Sequence, residues 1–198
     1  MTDLFATLGQ FKAFPPDYAP NIRRFYSPND DVHDAIKAVL SSATESLIVS
    51  MYGLDDPDLV AVIIQKAMDP KVYVQVNLDK TQAAGRAEVP LVAQLRACPN
   101  TRVAVGMSAS HLINHVKMVV VDGLYTLTGS TNWSAGGEGD GHGHGQNNEA
   151  SVIKSRAIAH EATMKLNADH LTMLAQSSLS VTVDTAGAGG ATVEVAGG

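Results

Sequence analysis

Residues 115–132 read HVKMVVVDGLYTLTGSTN, and this stretch combines a predicted β-hairpin with the polar groups of a candidate active site. Side chains two apart in a strand lie on the same face, so His115 and Lys117 are predicted to converge on one ligand. Asp122-Gly123 separates two apolar runs, a pattern typical of a tight hairpin turn. An imidazole beside a fixed ammonium indicates phosphoryl chemistry.

The spacing of these residues, HxKx4D followed by x6 and GSxN, resembles the HKD motif of the phospholipase D superfamily, including its small single-motif nucleases. Gln146-Asn147-Asn148-Glu149 resembles the Asn/Glu segment that follows the motif in that family. Met51-Tyr52-Gly53 and Leu78-Asp79-Lys80-Thr81-Gln82 are similar to less specific family landmarks. The resemblance covers roughly residues 30 to 176.

Four motif residues are the predicted catalytic groups. As nucleophile, neutral His115 would attack a phosphodiester and form a phosphohistidine, which divides one hard displacement into two easier ones. Lys117 lies in an apolar run, where a buried ammonium is costly unless an anion pairs with it, and phosphate supplies that anion. Ser130 and Asn132 would donate hydrogen bonds to the non-bridging oxygens.

Two acidic residues are predicted to support the site. Asp122 has the opposite strand parity from His115, so we assign it a structural or supporting role. Glu149 is the candidate carboxylate that would hold an imidazole in the right tautomer. A solvated loop glutamate is the alternative, and the glycine-rich insert between Asn132 and Asn147 departs from the tighter family pattern.

Three residues are candidate substrate contacts. Lys80 and Arg86 lie in the loop after a predicted strand and could bind backbone phosphates, although solvated surface charge explains them equally well. Trp133 could stack on a base or rest on a lipid chain, and core packing is the alternative.

Metal and cofactor sites are not predicted. His111 and His115 have the HxxxH spacing of a zinc site on a helix, but Leu112 stands where the general-base Glu should be and the following valines favour a strand. His142 and His144 alternate with glycines and could bind a transition metal. A mobile loop at the rim of the site is the preferred interpretation, since two imidazoles rarely define a metal site.

Elsewhere, helical and strand-like patterns alternate as α-β-α-β-α-β from Asn29 onward, which indicates an α/β fold. With the hairpin added, we predict a mixed β-sheet sandwiched by helices, phospholipase D/nuclease-like, with one motif per chain. The predicted divisions are an extended N-terminal arm (1–28), a catalytic domain (29–176) and a flexible Gly/Ala-rich tail (177–198) in which Val181-Thr182-Val183 could instead be an edge strand.

Composition limits the cellular context. The single cysteine, Cys98, excludes an intrachain disulfide, and no secretory signal is visible, which predicts a cytoplasmic location. The formal charge of −6 would repel a polyanion unless basic residues cluster on one face.

These features together predict a metal-independent phosphodiesterase that uses a phosphohistidine and no cofactor. The resemblance to single-motif members implies a nuclease on DNA or RNA. A phospholipase or transphosphatidylase on phospholipid head groups is the alternative enzyme, and a non-catalytic phosphate-binding protein is the alternative outside enzymes. Because the chain has one HxK, we predict a homodimer with a shared active site.

Overall fold

Seven strands form one mixed sheet in the computed structural model, which describes residues 3–186 and the side chains of residues 3–177. The strands are β1 (Ile22–Ser27), β2 (Ser46–Met51), β3 (Tyr73–Asp79), β4 (Thr101–Gly106), β5 (Lys117–Val121), β6 (Tyr125–Gly129) and β7 (Asn148–Lys154). Their order across the sheet is β1-β7-β6-β5-β2-β3-β4. Strands β2, β3 and β4 are parallel, whereas β5, β6, β7 and β1 each run antiparallel to their neighbours.

Helices cover both faces of this sheet. They are α1 (Leu4–Leu8), α2 (Val32–Ser41), α3 (Pro57–Met68), α4 (Lys80–Ala83), α5 (Glu88–Ala97), α6 (Ala135–Glu138) and α7 (Arg156–Ala186). Aspartate side chains cap two of these helices: Asp31 accepts from the Asp34 amide at the start of α2, and Asp56 caps α3 ahead of Pro57. None of the described helices is long and apolar enough to cross a membrane.

Because successive side chains of a strand point to opposite faces of the sheet, the buried apolar residues form two cores, one on each face. The main core lies on the face that carries Val49, Val119 and Leu127, and α1, α2, α3 and α5 contribute to it. The smaller core lies under α7, where Ile48 and Val120 pack against the helix. The predicted fold class, a mixed sheet between helices, is confirmed.

The hairpin between β5 and β6 is confirmed at its predicted turn. Asp122 has φ 51° and Gly123 has φ 57°, both in the left-handed region, and the Leu124 amide closes the turn by donating to the Val121 carbonyl at 3.0 Å. Glycine adopts this conformation without strain, and Asp is among the few other residues that tolerate it.

Both predicted ends of the chain differ from the structure. The segment predicted as an extended arm contains α1 and supplies β1, because Phe25 is fully buried opposite Ala150 of β7. At the other end, α7 continues through residues 177–186, where the sequence predicted a tail or an edge strand. Gln176 stabilises this continuation, since its Oε1 accepts a 2.8 Å hydrogen bond from the Met107 amide. Residues 187–198 of the predicted tail lie outside the described residues.

Candidate active site

The candidate catalytic residues lie at one edge of the sheet. Lys117, the first residue of β5, lies opposite Met51, the last residue of the antiparallel neighbour β2. Gly129 at the end of β6 pairs with Ala150 near the start of β7. The ends of four adjacent strands therefore bring together segments that are separated by up to a hundred residues in sequence.

His115 precedes β5, so the prediction that it lies within the strand is wrong. Its side chain is exposed, and its ring packs edge-on against Tyr52, with the ring centroids 4.7 Å apart. The polypeptide leaves the strand here because the Asn114 amide donates a 2.6 Å hydrogen bond to the buried carboxylate of Asp79. His115 is thus accessible to a large substrate.

Lys117 is only 7% exposed, yet its ammonium forms no ion pair with any described residue. Its Nζ donates to the His115 carbonyl at 3.2 Å and lies 4.8 Å from the centroid of the Tyr52 ring. Burial lowers the pKa of Lys117, and the charge of Asp79 acts in the opposite direction. A bound anion would restore the charged form and complete the environment of this ammonium.

Asp79 organises the floor of the site, a role that the sequence analysis did not assign. Its fully buried carboxylate accepts hydrogen bonds from the amides of Asn114 and, at 2.9 Å, Thr81. The Asn114 side chain in turn donates to Ser50 Oγ at 3.2 Å. The family landmark Leu78-Asp79-Lys80-Thr81-Gln82 could have indicated Asp79 from sequence, whereas no sequence pattern pointed to Asn114.

Ser130 and Asn132 lie just beyond the end of β6. Ser130 Oγ donates to Asn148 Oδ1 at 3.0 Å and accepts from the Glu149 amide at 3.0 Å. Asn132 Oδ1 is buried and lacks a hydrogen-bond partner among the described residues. The Trp133 amide donates to the Gly53 carbonyl at 3.0 Å, so this segment is joined to the loop after β2.

Glu149 contacts Arg24 instead of an imidazole. Its carboxylate lies 3.2 Å from Arg24 Nε and accepts a short hydrogen bond from Ser151 Oγ. No hydrogen bond or ion pair among the described residues joins it to His115. Alternation in β7 places Glu149 on the same face as Ser151, opposite the main core.

Asp122 lies at the far end of β5, roughly 16 Å from Lys117 at the usual rise of a strand. Its carboxylate accepts hydrogen bonds of 2.8 to 3.1 Å from the amides of Thr44, Glu45 and Ser46 and from the Thr44 hydroxyl. Asp122 therefore holds the connection between α2 and β2 and does not face the site.

The predicted substrate contacts divide into two groups. Trp133 is 2% exposed and packs in the main core, which contradicts its assignment as a substrate contact. Lys80 and Arg86 are exposed around α4, and Lys80 directly follows Asp79. The nearby Gln82 side chain donates to the Tyr52 hydroxyl at 3.0 Å, so α4 adjoins the candidate site.

The three other histidines considered in the sequence analysis lie in two loops. The Asp140 carboxylate organises the glycine-rich loop by accepting from the amides of His142 and His144 at 2.8 and 3.0 Å, and it contacts His144 Nδ1 at 2.7 Å. These hydrogen bonds lower the pKa of Asp140. His111 is exposed in a left-handed turn with φ 56°.

Comparison with known proteins agrees with this architecture. Residues 36–170, more than half of the chain, match the family model described as "Cardiolipin synthase, PLD-like domain". None of the curated proteins matches the sequence. Nuc, a phospholipase D family member from Salmonella typhimurium, superposes with a TM-score of 0.65 at 19% identity, covering 76% of this chain and 94% of Nuc.

Two other solved structures extend the comparison. NucT from Helicobacter pylori has a TM-score of 0.66 at 19% identity, covering 76% of this chain and 96% of NucT. Polyphosphate kinase from Porphyromonas gingivalis has a TM-score of 0.57 at 11% identity, covering 85% of this chain but 31% of the kinase. At these identities the structural similarity concerns the fold.

Proposed function

The chain belongs to the phospholipase D superfamily of phosphodiesterases, and we propose that it cleaves phosphodiesters through a covalent phosphohistidine on His115. The observation that supports this most strongly is the Lys117 ammonium, buried and without an ion-pair partner among the described residues, beside an exposed imidazole. A phosphate between them would pair with the ammonium and present its phosphorus to the ring.

Two displacements complete the proposed reaction. In the first, a neutral ring nitrogen of His115 forms a bond to phosphorus, and the bond from phosphorus to the leaving oxygen breaks as that oxygen takes a proton from a general acid. In the second, water gives a proton to the same group, now a general base, as its oxygen bonds to phosphorus and the N–P bond breaks, which returns the neutral imidazole and the protonated acid. Lys117, Ser130 and Asn132 stabilise the charge that develops on the non-bridging oxygens.

A second copy of the chain would supply the general acid. The described residues contain one HxK, and a two-fold axis through the cleft would set His115 of the partner subunit opposite the nucleophile. Leu112 and Ile113, 66% and 47% exposed just before His115, give this edge the apolar surface that an interface requires. We propose one shared site per dimer, with one imidazole neutral and the other protonated.

Sedimentation together with subunit mixing tests the shared site. Wild-type protein should sediment as a dimer, and added His115→Ala protein should lower its activity more steeply than dilution, because heterodimers lack one imidazole. A monomer with full activity at assay concentrations would contradict the arrangement.

Nucleic acid is the proposed substrate. Lys80 and Arg86 are exposed around α4 beside Tyr52, where they could bind backbone phosphates despite the net charge of −6. Trp133 lies in the core, so it supports contact with neither a base nor a lipid chain. Phospholipid cleavage and phosphate binding without turnover are the rival outcomes of the assay below.

A substrate panel with a trapping step tests the proposal. Plasmid DNA, single-stranded DNA, RNA and phosphatidylcholine vesicles are each incubated with wild type and His115→Ala. We expect nucleic acid cleavage that falls by several orders of magnitude in the variant. Rapid quenching should leave an acid-labile, alkali-stable phosphoryl label on His115. Binding without cleavage of any substrate, or a near-normal rate in the variant, would refute the proposal.

A further inference from the structure

Three potential metal ligands meet outside the candidate active site. His33 in the first turn of α2, Asp56 at the start of α3 and Glu138 at the end of α6 each direct one ligand atom into a common space, with all three atoms within 4.8 Å of one another. The residues are separated by more than twenty and by more than eighty positions in sequence, so only the fold brings them together.

Glu138 is the unusual member of this cluster. It is 2% exposed, and its Oε1 is buried without a hydrogen-bond partner among the described residues. Burial, together with the nearby carboxylates of Asp56 and Asp55, raises the pKa of Glu138 to about 9. A buried carboxyl group next to two like charges is destabilising unless a cation or a proton compensates it.

The other two ligands are already oriented. Asp34 Oδ1 lies 3.0 Å from His33 Nδ1, which leaves Nε2 directed at Asp56 Oδ2, 3.5 Å away. Asp56 Oδ1 is used as the helix cap, accepting from the amides of Asp58 and Leu59, and Oδ2 is the oxygen that faces His33 Nε2. When one ring nitrogen of a histidine binds a metal, the other nitrogen usually donates a hydrogen bond to a carboxylate or another acceptor. Asp34 occupies that position at His33 Nδ1.

We propose that His33 Nε2, Asp56 Oδ2 and a Glu138 carboxylate oxygen bind one divalent first-row transition-metal cation such as Zn²⁺ or Mn²⁺. An imidazole with two carboxylates suits these ions better than Mg²⁺ or Ca²⁺, which prefer oxygen ligands alone. Bond lengths of about 2.0–2.2 Å place tetrahedral ligand atoms about 3.3–3.6 Å apart. Ligand atoms that now lie within 4.8 Å of one another would therefore move together by at most about 1.5 Å on binding. A water or the second Glu138 oxygen would complete the coordination.

The cation would hold α6 against α2 and α3. The Trp133 carbonyl already accepts hydrogen bonds from the amides of Asp55 and Asp56 at 3.0 and 3.1 Å. A cation on Glu138 would add a second attachment for the segment between Asn132 and Glu138. The ion thus stabilises the segment that follows the phosphate-binding residues and takes no part in phosphoryl transfer.

Metal titration of untagged protein tests the site without reference to activity. We expect calorimetry to give one Zn²⁺ or Mn²⁺ per chain, with a rise in Tm on binding and no comparable rise with Mg²⁺. Glu138→Gln and His33→Gln should each abolish this metal-dependent rise. Asp34→Asn should weaken binding by about 10- to 100-fold through loss of imidazole orientation.

Two matched controls locate the ion. Glu88→Gln changes another buried glutamate that has an unpartnered oxygen but lies outside the cluster, and it should bind metal as wild type does. His144→Ala removes a ligand of the rival glycine-rich loop and should also bind normally. Absence of saturable binding, or binding lost in His144→Ala and retained in Glu138→Gln, would overturn the proposal and leave the cluster as a proton-sharing network.

Discussion

Tyr52 contacts both groups of the HxK motif: its ring packs against the imidazole of His115 at a centroid distance of 4.7 Å, and the Lys117 ammonium lies 4.8 Å from the centroid of the Tyr52 ring. The hydroxyl of Tyr52 is held by Gln82 of α4. Tyr52 thus holds the imidazole of His115, the proposed nucleophile, which lies outside β5 and is not fixed by the strand.

Loss of the Tyr52 ring should lower turnover more than substrate binding. Tyr52→Ala frees the imidazole, and misplacement of a reacting group by about 1 Å can cost up to about 100-fold in rate. We expect kcat to fall by this order with a smaller change in KM. Tyr52→Phe keeps the ring and should restore most of the rate. Equal losses in the two variants would assign the role to the hydroxyl and its hydrogen bond.

Chelation should leave the phosphodiesterase rate of folded protein unchanged. In the proposed mechanism, Lys117, Ser130 and Asn132 supply the charge stabilisation that a metal would otherwise provide. Removal of a cation from the His33, Asp56 and Glu138 cluster should nevertheless lower Tm. The rate with and without EDTA is therefore measured well below the unfolding midpoint. Loss of rate in folded protein, rescued by one divalent ion, would place a metal in the chemistry.

Replacement of Asp122 should affect stability and not catalysis. Asp122→Ala removes the acceptor of three amides and one hydroxyl and puts alanine at a positive φ. Hydrogen bonds to a charged group contribute about 1.5–3 kcal/mol each, so we expect the free energy of unfolding to fall by at least that amount. Urea denaturation measures the loss. A changed kcat in the folded variant would contradict the structural role.

Glu88 should make the protein less stable as the pH rises. Burial raises the pKa of Glu88, Asp55 and Asp79 add to the rise, and a 2.9 Å hydrogen bond from the Leu54 amide opposes it. Because the folded-state pKa exceeds the unfolded value of about 4.3, folded protein binds more protons between the two. The contribution of protonated Glu88 to the free energy of unfolding is fully present below the unfolded-state pKa, and it is lost as the pH rises through the folded-state pKa.

Glu88→Gln should therefore flatten the pH profile over that interval and stabilise the protein at neutral pH, since the amide oxygen can still accept from Leu54. Urea denaturation across pH 4 to 8 measures the effect, and Glu161→Gln, an exposed carboxyl group, is the matched control. A Glu88→Gln profile with the wild-type slope would show that Glu88 does not carry the pH dependence.

Much of the fold follows from local sequence. The hairpin at Asp122-Gly123 was predictable because few residues tolerate two consecutive left-handed conformations. The start of α3 was predictable because Asp56 and Pro57 satisfy the first turn of a helix by themselves. Lys117 was predicted as a phosphate-binding group because an ammonium within an apolar strand requires an anion, and its burial agrees with the strand pattern.

Only the tertiary structure decided how distant segments meet. His115 leaves the strand because Asp79, thirty-five positions away, accepts the Asn114 amide. Trp133 is buried because its backbone joins the loop after β2, and Glu149 contacts Arg24 because β1 pairs with β7. Sequence periodicity predicts which side chains of one helix or strand share a face, whereas contacts across the sheet depend on strand order and helix packing. For the same reason, nothing in the sequence indicated that residues 33, 56 and 138 form one cluster.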